Sequence, residues 1–367
     1  MIVCLYCIAK FRRINMRRCF GIFVILTLTV SLSAQVKYSN EFLNIGVGAR
    51  TMGMGGAGIA IVNDVTAGYW NPSALAGIES TYDISLMHSE YFAGLAKYDY
   101  GALARRIDEE SVAALSFIRL GVDDIPNTLE LVDADGNFLY DRIKTFSAAD
   151  LALIFSYART MPVEGLTVGG NAKIIYRRTG EFANAWGFGI DASATWIKND
   201  WRFAAMARDI TTSFNAWRIQ TDKLEEVFAL TGNEIPENSL EITMPRLIFG
   251  VARSFQVNED LLASVDLDLH FALDGKRPVL LSMGFTGIDP YLGTEWVYKE
   301  WLSLRLGVGQ FQWVPGMEGI NELSLQPAMG LGIRFKNLQV NYALTDLGDL
   351  AISQYSNIVS LRFNFNN

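Results

Sequence analysis

Trp186-Gly-Phe-Gly-Ile-Asp-Ala-Ser-Ala-Thr-Trp196 decides the fold. Its apolar residues take every second position, and Gly187, Gly189, Asp191, Ser193 and Thr195 fill the places between. A period of two is the strand period, because successive side chains point to opposite faces. The pattern recurs on both sides of this stretch. Leu166, Val168, Gly170, Ala172, Ile174 and Tyr176 oppose Thr167, Gly169, Asn171, Lys173 and Arg177. Leu302, Leu304, Leu306 and Val308 oppose Ser303, Arg305, Gly307 and Gly309. Leu325, Met329, Leu331, Ile333 and Phe335 oppose Gln326, Gly330, Gly332 and Arg334.

Alternation alone does not say which face meets lipid, since a soluble barrel would turn its apolar face inward. Three features favour a membrane. The strands run to about ten residues, the length of a tilted span. Aromatics gather at strand ends (Trp186, Trp196, Trp201, Trp296, Trp301, Tyr342), as in interfacial girdles. The chain also closes on an alternating strand, Val359, Leu361, Phe363 and Phe365. Composition agrees: 50% of residues are hydrophobic and 19% charged, yet no central run approaches the roughly 20 apolar residues of a spanning helix. The expected fold is all-β, a transmembrane antiparallel barrel.

Fifteen alternating runs can be drawn, but bacterial single-chain barrels have even strand numbers, with short turns on the periplasmic side and long loops outside. The weakest division is Ile288-Asp289-Pro290, so residues 281–298 are expected to form one strand, bulged or kinked at Pro290. The count is then fourteen. The short turns fall at 108–110, 161–165, 199–200, 256–259, 299–300 and 336–337. The outer loops fall at 89–96, 123–147, 179–185, 211–244, 272–280, 311–323 and 347–355. Two of these are long enough to suggest a role. Loop 123–147 carries Asp133, Asp135 and Asn137 around an Asp-Gly turn. Loop 211–244 carries Phe214 and Trp217, and a short amphipathic helix is expected over 221–230 with Leu224, Val227 and Phe228 on one side.

Residues 1–34 read as a signal peptide. Lys10, Arg12, Arg13, Arg17 and Arg18 precede an apolar run from Cys19 to Leu32 and a small-residue site at Ser33-Ala34. Met16 is an alternative start. Five of the 31 basic residues leave with this segment and none of the 39 acids, so the exported chain carries a net charge near −13 with histidine neutral. Cys4, Cys7 and Cys19 leave too, which excludes disulfides and thiol catalysis. An acidic exported protein is a poor partner for nucleic acid.

Residues 35–79 alternate poorly. They hold Gly46, Gly48, Gly53, Gly55, Gly56, Gly58 and Gly68. The strand–loop–helix setting and the Gly-Lys-Ser/Thr of a phosphate loop are missing. Glycine here permits close packing, and a fourteen-stranded lumen is too wide for its own side chains to fill, so this segment is expected to plug a barrel formed by residues 80–367. Gly48-Ala-Arg-Thr-Met-Gly-Met-Gly-Gly-Ala57, then Asn63-Asp64, then Tyr69-Trp-Asn-Pro-Ser-Ala-Leu75, resembles the N-terminal signature of PorV/PorQ-type proteins of the FadL-like superfamily. Arg208 to Trp217 and Thr231 to Pro236 are similar to the same family. The resemblance implies a fourteen-stranded barrel with an N-terminal hatch marked by Gly53, Gly55, Gly56, Asn63, Asp64, Asn71 and Pro72. It also implies a role in type IX secretion. The partners would be outer-membrane lipid, translocon or attachment-complex proteins and exported substrates, met through the outer loops. The alternative is a FadL-like transporter of hydrophobic small molecules, with an apolar pocket against the hatch.

Enzyme chemistry is not expected. His88 and His270 are the only histidines, so no triad can be built. Asp266, Asp268 and His270 share one strand face at a spacing of about 7 Å, too spread for a single ion, and read as a polar lumen row. Asp133 to Asn137 lacks the full spacing and terminal Glu of a calcium loop. No cofactor or metal is expected. Lys173, Arg177, Arg305, Arg334 and Arg362 are expected to pair with Asp191, Asp266 and Asp268 or with the hatch.

Overall fold

The computed structural model describes residues 39–366 except 133–135, 224–237, 276, 284–285, 317–319 and 346–355. The signal-peptide segment, Asp133, Asp135, Leu224, Val227 and Phe228 lie outside the described residues.

Seventeen hydrogen-bonded segments form fourteen staves of one closed antiparallel barrel. The first seven are β1 Tyr82–Tyr91, β2 Ala96–Arg106, β3 Ser111–Asn127, β4 Lys144–Thr160, β5 Leu166–Thr179, β6 Ala183–Lys198 and β7 Trp201–Arg208, the last continued by Ser213–Ile219. Then come β8, made of Leu240–Thr243 and Arg246–Asn258, β9 Leu261–Ala272, β10 Thr286–Tyr298, β11 Leu302–Pro315, β12 Asn321–Phe335, β13 Leu338–Thr345 and β14 Ser356–Phe365. β14 returns to β1 in the register Tyr82↔Phe365 to Glu90↔Asn357, so the sheet closes on itself. Arg362 locks this seam by donating to Asp83 at 2.6 and 3.0 Å.

The alternation places its apolar face outward. Leu86, Trp186, Phe188, Met329 and Phe335 are exposed on the wall, while Asn171, Lys173, Asp191, Asp266, Asp268 and Arg305 are buried within. An outward apolar belt around a polar interior is the arrangement of a membrane-spanning barrel. Trp196, Trp201, Trp296 and Trp301 cluster at the end of the barrel that carries the short turns, an aromatic girdle. Two-residue connections such as 199–200 and 336–337 mark that end as periplasmic, and longer connections such as 128–143 and 220–239 mark the other as extracellular.

Several expected boundaries move. Ser213–Ile219 and Leu240–Thr243 are wall, not loop: they continue β7 and β8 across a kink at Asp209–Thr212, where Asp209 and Thr212 take positive φ. Phe214 therefore faces outward beside Phe188, and Trp217 faces the lumen beneath the Arg177 guanidinium, 5.1 Å from its ring centre. β3 and β4 likewise project into loop 123–147, which shortens to 128–143. There Val132 bridges Phe138 around Gly136 at φ 82, a turn with Asn137 exposed at its tip. The turn expected at 256–259 lies at 259–260, because a bulge carries β8 through to Asn258. A single strand does run through Pro290, as expected, but it starts at Thr286; Leu281–Met283 folds back on it as a short hairpin.

Candidate functional site

The lumen is filled by residues 39–79. Four short helical turns, Glu41–Asn44, Ala49–Met52, Ala67–Trp70 and Pro72–Gly77, pack on β1 to β5 and β13–β14 as one buried apolar cluster. Met54, Ile59, Ala60 and Ile61 make a second cluster with Ala204, Met206, Ile248 and Ala252 of β7 and β8. The hatch glycines permit backbone-to-backbone contact with the wall. A Cβ on Gly53 would lie 2.8 Å from the Gly330 Cα; one on Gly55, whose φ is 71°, would lie 2.6 Å from the Val308 nitrogen. Gly56 also has positive φ and faces the Tyr291 ring.

Asn71 is fully buried and ties the hatch to itself and to β6. Its amide donates to the Ile59 carbonyl and the Thr195 hydroxyl, both at 2.8 Å, and its oxygen accepts from the Ser73 hydroxyl. Pro72 opens the helical turn that follows, where a missing N–H costs nothing. Asn63 accepts from Arg50, and Asp64 accepts from the Thr66 N–H and hydroxyl and lies 3.7 Å from Arg50. Burial alone would lift the Asp64 carboxyl, but the Arg362 and Arg50 guanidiniums and Thr66 hold it below its ordinary 3.8. A carboxyl lowered by folding contributes stability that is complete above its unfolded value and is lost as pH falls through the folded one. Asp64→Asn should thus speed pepsin cleavage of the hatch at about pH 5, and the difference from the parent should shrink only below 3.8. A difference that vanishes at mild acidity would contradict this role for Asp64.

Three wall carboxylates hold the hatch. Glu295 on β10 accepts from Arg50 at 2.6 and 3.0 Å and from Arg305 on β11 at 2.7 Å. Asp268 on β9 accepts from the N–H groups of Gly58 and Ile59, and Asp266 from that of Ile61. The lumen row is as expected, but its partners are hatch backbone, not the basic side chains. Lys173 pairs with Asp191, as expected, and also with Asp209; the others pair elsewhere, Arg177 with Asp150 and Glu241, Arg305 with Glu295, Arg362 with Asp83. Among the described residues, the Arg334 side chain reaches only the Gln339 amide oxygen, at 3.4 Å.

Above the hatch, toward the long loops, lies a cavity of about 180 Å³. Its hatch side is Ile45, Met52, Tyr69 and Trp70, and its wall side includes Ile248, His270 and Tyr291. His270 stacks against Tyr291 with ring centres 4.3 Å apart. Arg208, Arg246 and Arg277 also line it, but their charges are engaged: Arg208 lies over the Tyr69 ring and donates to its carbonyl, and Arg246 and Arg277 reach Glu41. Beside the cavity the wall ladder is interrupted. β10 pairs with β11 only from Leu292↔Val308 downward. Above that, Asp289 to Tyr291, which stay paired to β9, and Gly309 to Phe311 carry no ladder pairing with each other, and the gap is bridged by the Asp289 carboxylate accepting from the Phe311 N–H at 3.2 Å. Higher still, the 278–283 segment wedges between the staves, through the Val279–Gln312 bridge and the Leu281–Met283 pairing. Pro290, which cannot donate, sits where the strand has no neighbour on one side.

A closed fourteen-stave barrel with an N-terminal lumen plug can be matched among solved structures. This is the fold of the solved toluene transporters. TbuX of Ralstonia pickettii superposes with a TM-score of 0.52 at 15% identity, covering 88% of this chain and 99% of that one. TodX of Pseudomonas putida gives 0.54 at 13% identity over 87% and 98%. CymD, a monoaromatic hydrocarbon channel, gives 0.50 at 13% over 88% and 98%. No protein-family model matches the chain, and no curated protein matches it in sequence.

Of the residues singled out from sequence, the structure brings the hatch set together inside the lumen and leaves Asn137 and Phe214 on outer surfaces far from it. Tyr69 and Trp70 stood in the hatch signature without a cavity role assigned to them, and Tyr291 and the anchor Glu295 were not singled out. Glu295 carried a signal: a carboxylate on the lumen side of a strand whose other side is Leu292, Trp296 and Tyr298.

Proposed function

We propose that this chain is an outer-membrane barrel of a Gram-negative bacterium that takes up small molecules with an apolar, ring-compatible body. The observation that carries the reading is the cavity above the hatch. Ile45, Met52, Tyr69, Trp70, Ile248 and Tyr291 line one part of it, Asn44, Asp289, Gln310 and Gln312 add polar groups, its arginines are already engaged, and at about 180 Å³ it is smaller than the roughly 300–1,000 Å³ of drug-sized sites. The described uses of TbuX, TodX and CymD fit such a solute. The ladder break at Asp289–Tyr291 gives the cavity a side route through the wall, held by one side-chain hydrogen bond rather than by a ladder. Replacing Tyr291 by leucine removes an aromatic face while keeping the wall. Calorimetric titration of the detergent-purified protein with toluene should show binding weakened about fivefold to tenfold; unchanged affinity would place the ligand elsewhere.

A second reading is favoured by one observation. The long-loop end carries exposed Val132, Phe138 and Tyr140 on the projecting β3–β4 hairpin, apolar surface that a solute carrier does not need. A type IX secretion barrel would use it to hold exported proteins, translocon or attachment-complex components. Purification of the tagged chain from native outer membrane in mild detergent, with mass spectrometry of proteins and small molecules, separates the two. A barrel arriving alone with a stoichiometric apolar ligand supports uptake; an empty cavity with co-purified secretion proteins supports the second reading.

A further inference from the structure

A second cavity, of about 370 Å³, opens beneath the hatch at the short-turn mouth of the barrel. Three guanidiniums line it: Arg50 from the hatch, Arg202 from the start of β7 and Arg334 from the end of β12. Asn63, the hydroxyls of Ser254, Ser264 and Ser303 and the Gln339 amide add neutral polar groups.

This mouth is short of acceptors. Glu295 also lines it, but its two oxygens are already shared between Arg50 and Arg305, and a buried Arg305 Nη2 has no hydrogen-bond partner among the described residues. Glu300 lines it from the turn between β10 and β11 and makes no ion pair among the described residues. Arg202 has no carboxylate within ion-pair distance among the described residues, and Arg334 has only its long bond to Gln339. The other lumen arginines at this end of the barrel, Arg50, Arg305 and Arg362, are each matched to a carboxylate. Guanidiniums present forked donors suited to the paired oxygens of a phosphate or carboxylate. The walls around them are low in dielectric, so an anion entering gains more than it would in open water.

We propose that this mouth is an anion-binding site that takes a compact oxyanion, a phosphate or carboxylate group, from the periplasmic side. The site is independent of the cavity above the hatch and does not depend on what that cavity takes. Because Arg50 belongs to the hatch and the other two guanidiniums to the wall, the site is complete only while the hatch is docked. A bound oxyanion therefore tightens the hatch against the barrel.

The test is calorimetric titration of the full detergent-purified barrel with inorganic phosphate and with succinate, at constant ionic strength set with sodium chloride. Saturable binding of at least one of them is expected, weakened about tenfold or more by Arg202→Gln and by Arg334→Gln. Arg253→Gln, on the outer wall over Trp201, should leave it unchanged, and Arg202→Lys should restore part of the loss. Trypsin cleavage of the hatch should slow when the oxyanion is present. Absence of saturable binding by both anions at millimolar concentration would overturn the proposal. So would binding that survives both glutamine substitutions in barrels that still migrate as folded, heat-modifiable species.

Discussion

Glu295→Gln is expected to free the hatch and cost the barrel about 3–5 kcal/mol. Glu295 is almost wholly buried and is the carboxylate that both Arg50 and Arg305 contact. Taking the charge away leaves two guanidiniums facing each other in the lumen, one of them with no solvent exposure at all. A neutral amide can accept from one of them, but cannot offset either charge. The loss should appear as a lower urea midpoint for the heat-modifiable form and as new trypsin cleavage after Arg50. The double substitution Arg50→Met with Glu295→Gln should recover part of the stability, since it removes one of the stranded charges. Glu295→Gln barrels as stable and as protease-resistant as the parent would show that the hatch is held by packing alone.

Gly307→Leu should be nearly as severe, for a steric reason. A Cβ at Gly307 would lie 1.9 Å from the Met54 carbonyl carbon and 2.5 Å from the Gly55 nitrogen. Both are backbone atoms, so no rotamer change relieves the clash. Gly55 cannot yield, because its own φ is 71° and the Val308 nitrogen lies 2.6 Å from where a Cβ on Gly55 would stand. Overpacking of this kind costs about 1–3 kcal/mol where side chains can shift, and the rigid contact puts Gly307 at the upper end. Two forms of failure are distinguishable. If the wall folds without its plug, the barrel stays heat-modifiable and the cell becomes sensitive to large antibiotics; if assembly needs the plug, the folded band disappears. Gly101→Leu is the control: its Cβ meets only the Leu86 side chain, at 3.5 Å, and little change is expected.

The wall was legible in the sequence because lipid imposes one rule on every stave. Trp186 to Trp196 must put its apolar set outward and its Gly, Asp, Ser and Thr set inward, and a one-residue slip would invert both. Parity and loop length then fixed the stave number and the single strand through Pro290. The kink after Arg208 was not legible: Asp209 to Thr212 looks like a turn, and it is one, yet the chain resumes the same stave on the far side. That is why Phe214 and Trp217 belong to the wall. Hatch contacts were half legible. Clustered glycines announced close packing, but which backbone each would touch depends on residues 250 or more positions away, such as Gly307 and Gly330. The cavity was the least legible part, since Tyr69, Trp70 and Tyr291 meet only when the hatch is docked beside the break between β10 and β11.

The uptake reading is tested most directly by the initial rate at which radiolabelled toluene enters intact cells that carry this barrel, against cells that carry a barrel stapled by an Asp289→Cys, Phe311→Cys disulfide across the ladder break. The account predicts faster entry than in vector controls, lost when the staple is oxidised and regained on reduction. Entry at the vector rate in all three, with the barrel folded and in the outer membrane, would contradict it and leave the long-loop end as the working surface.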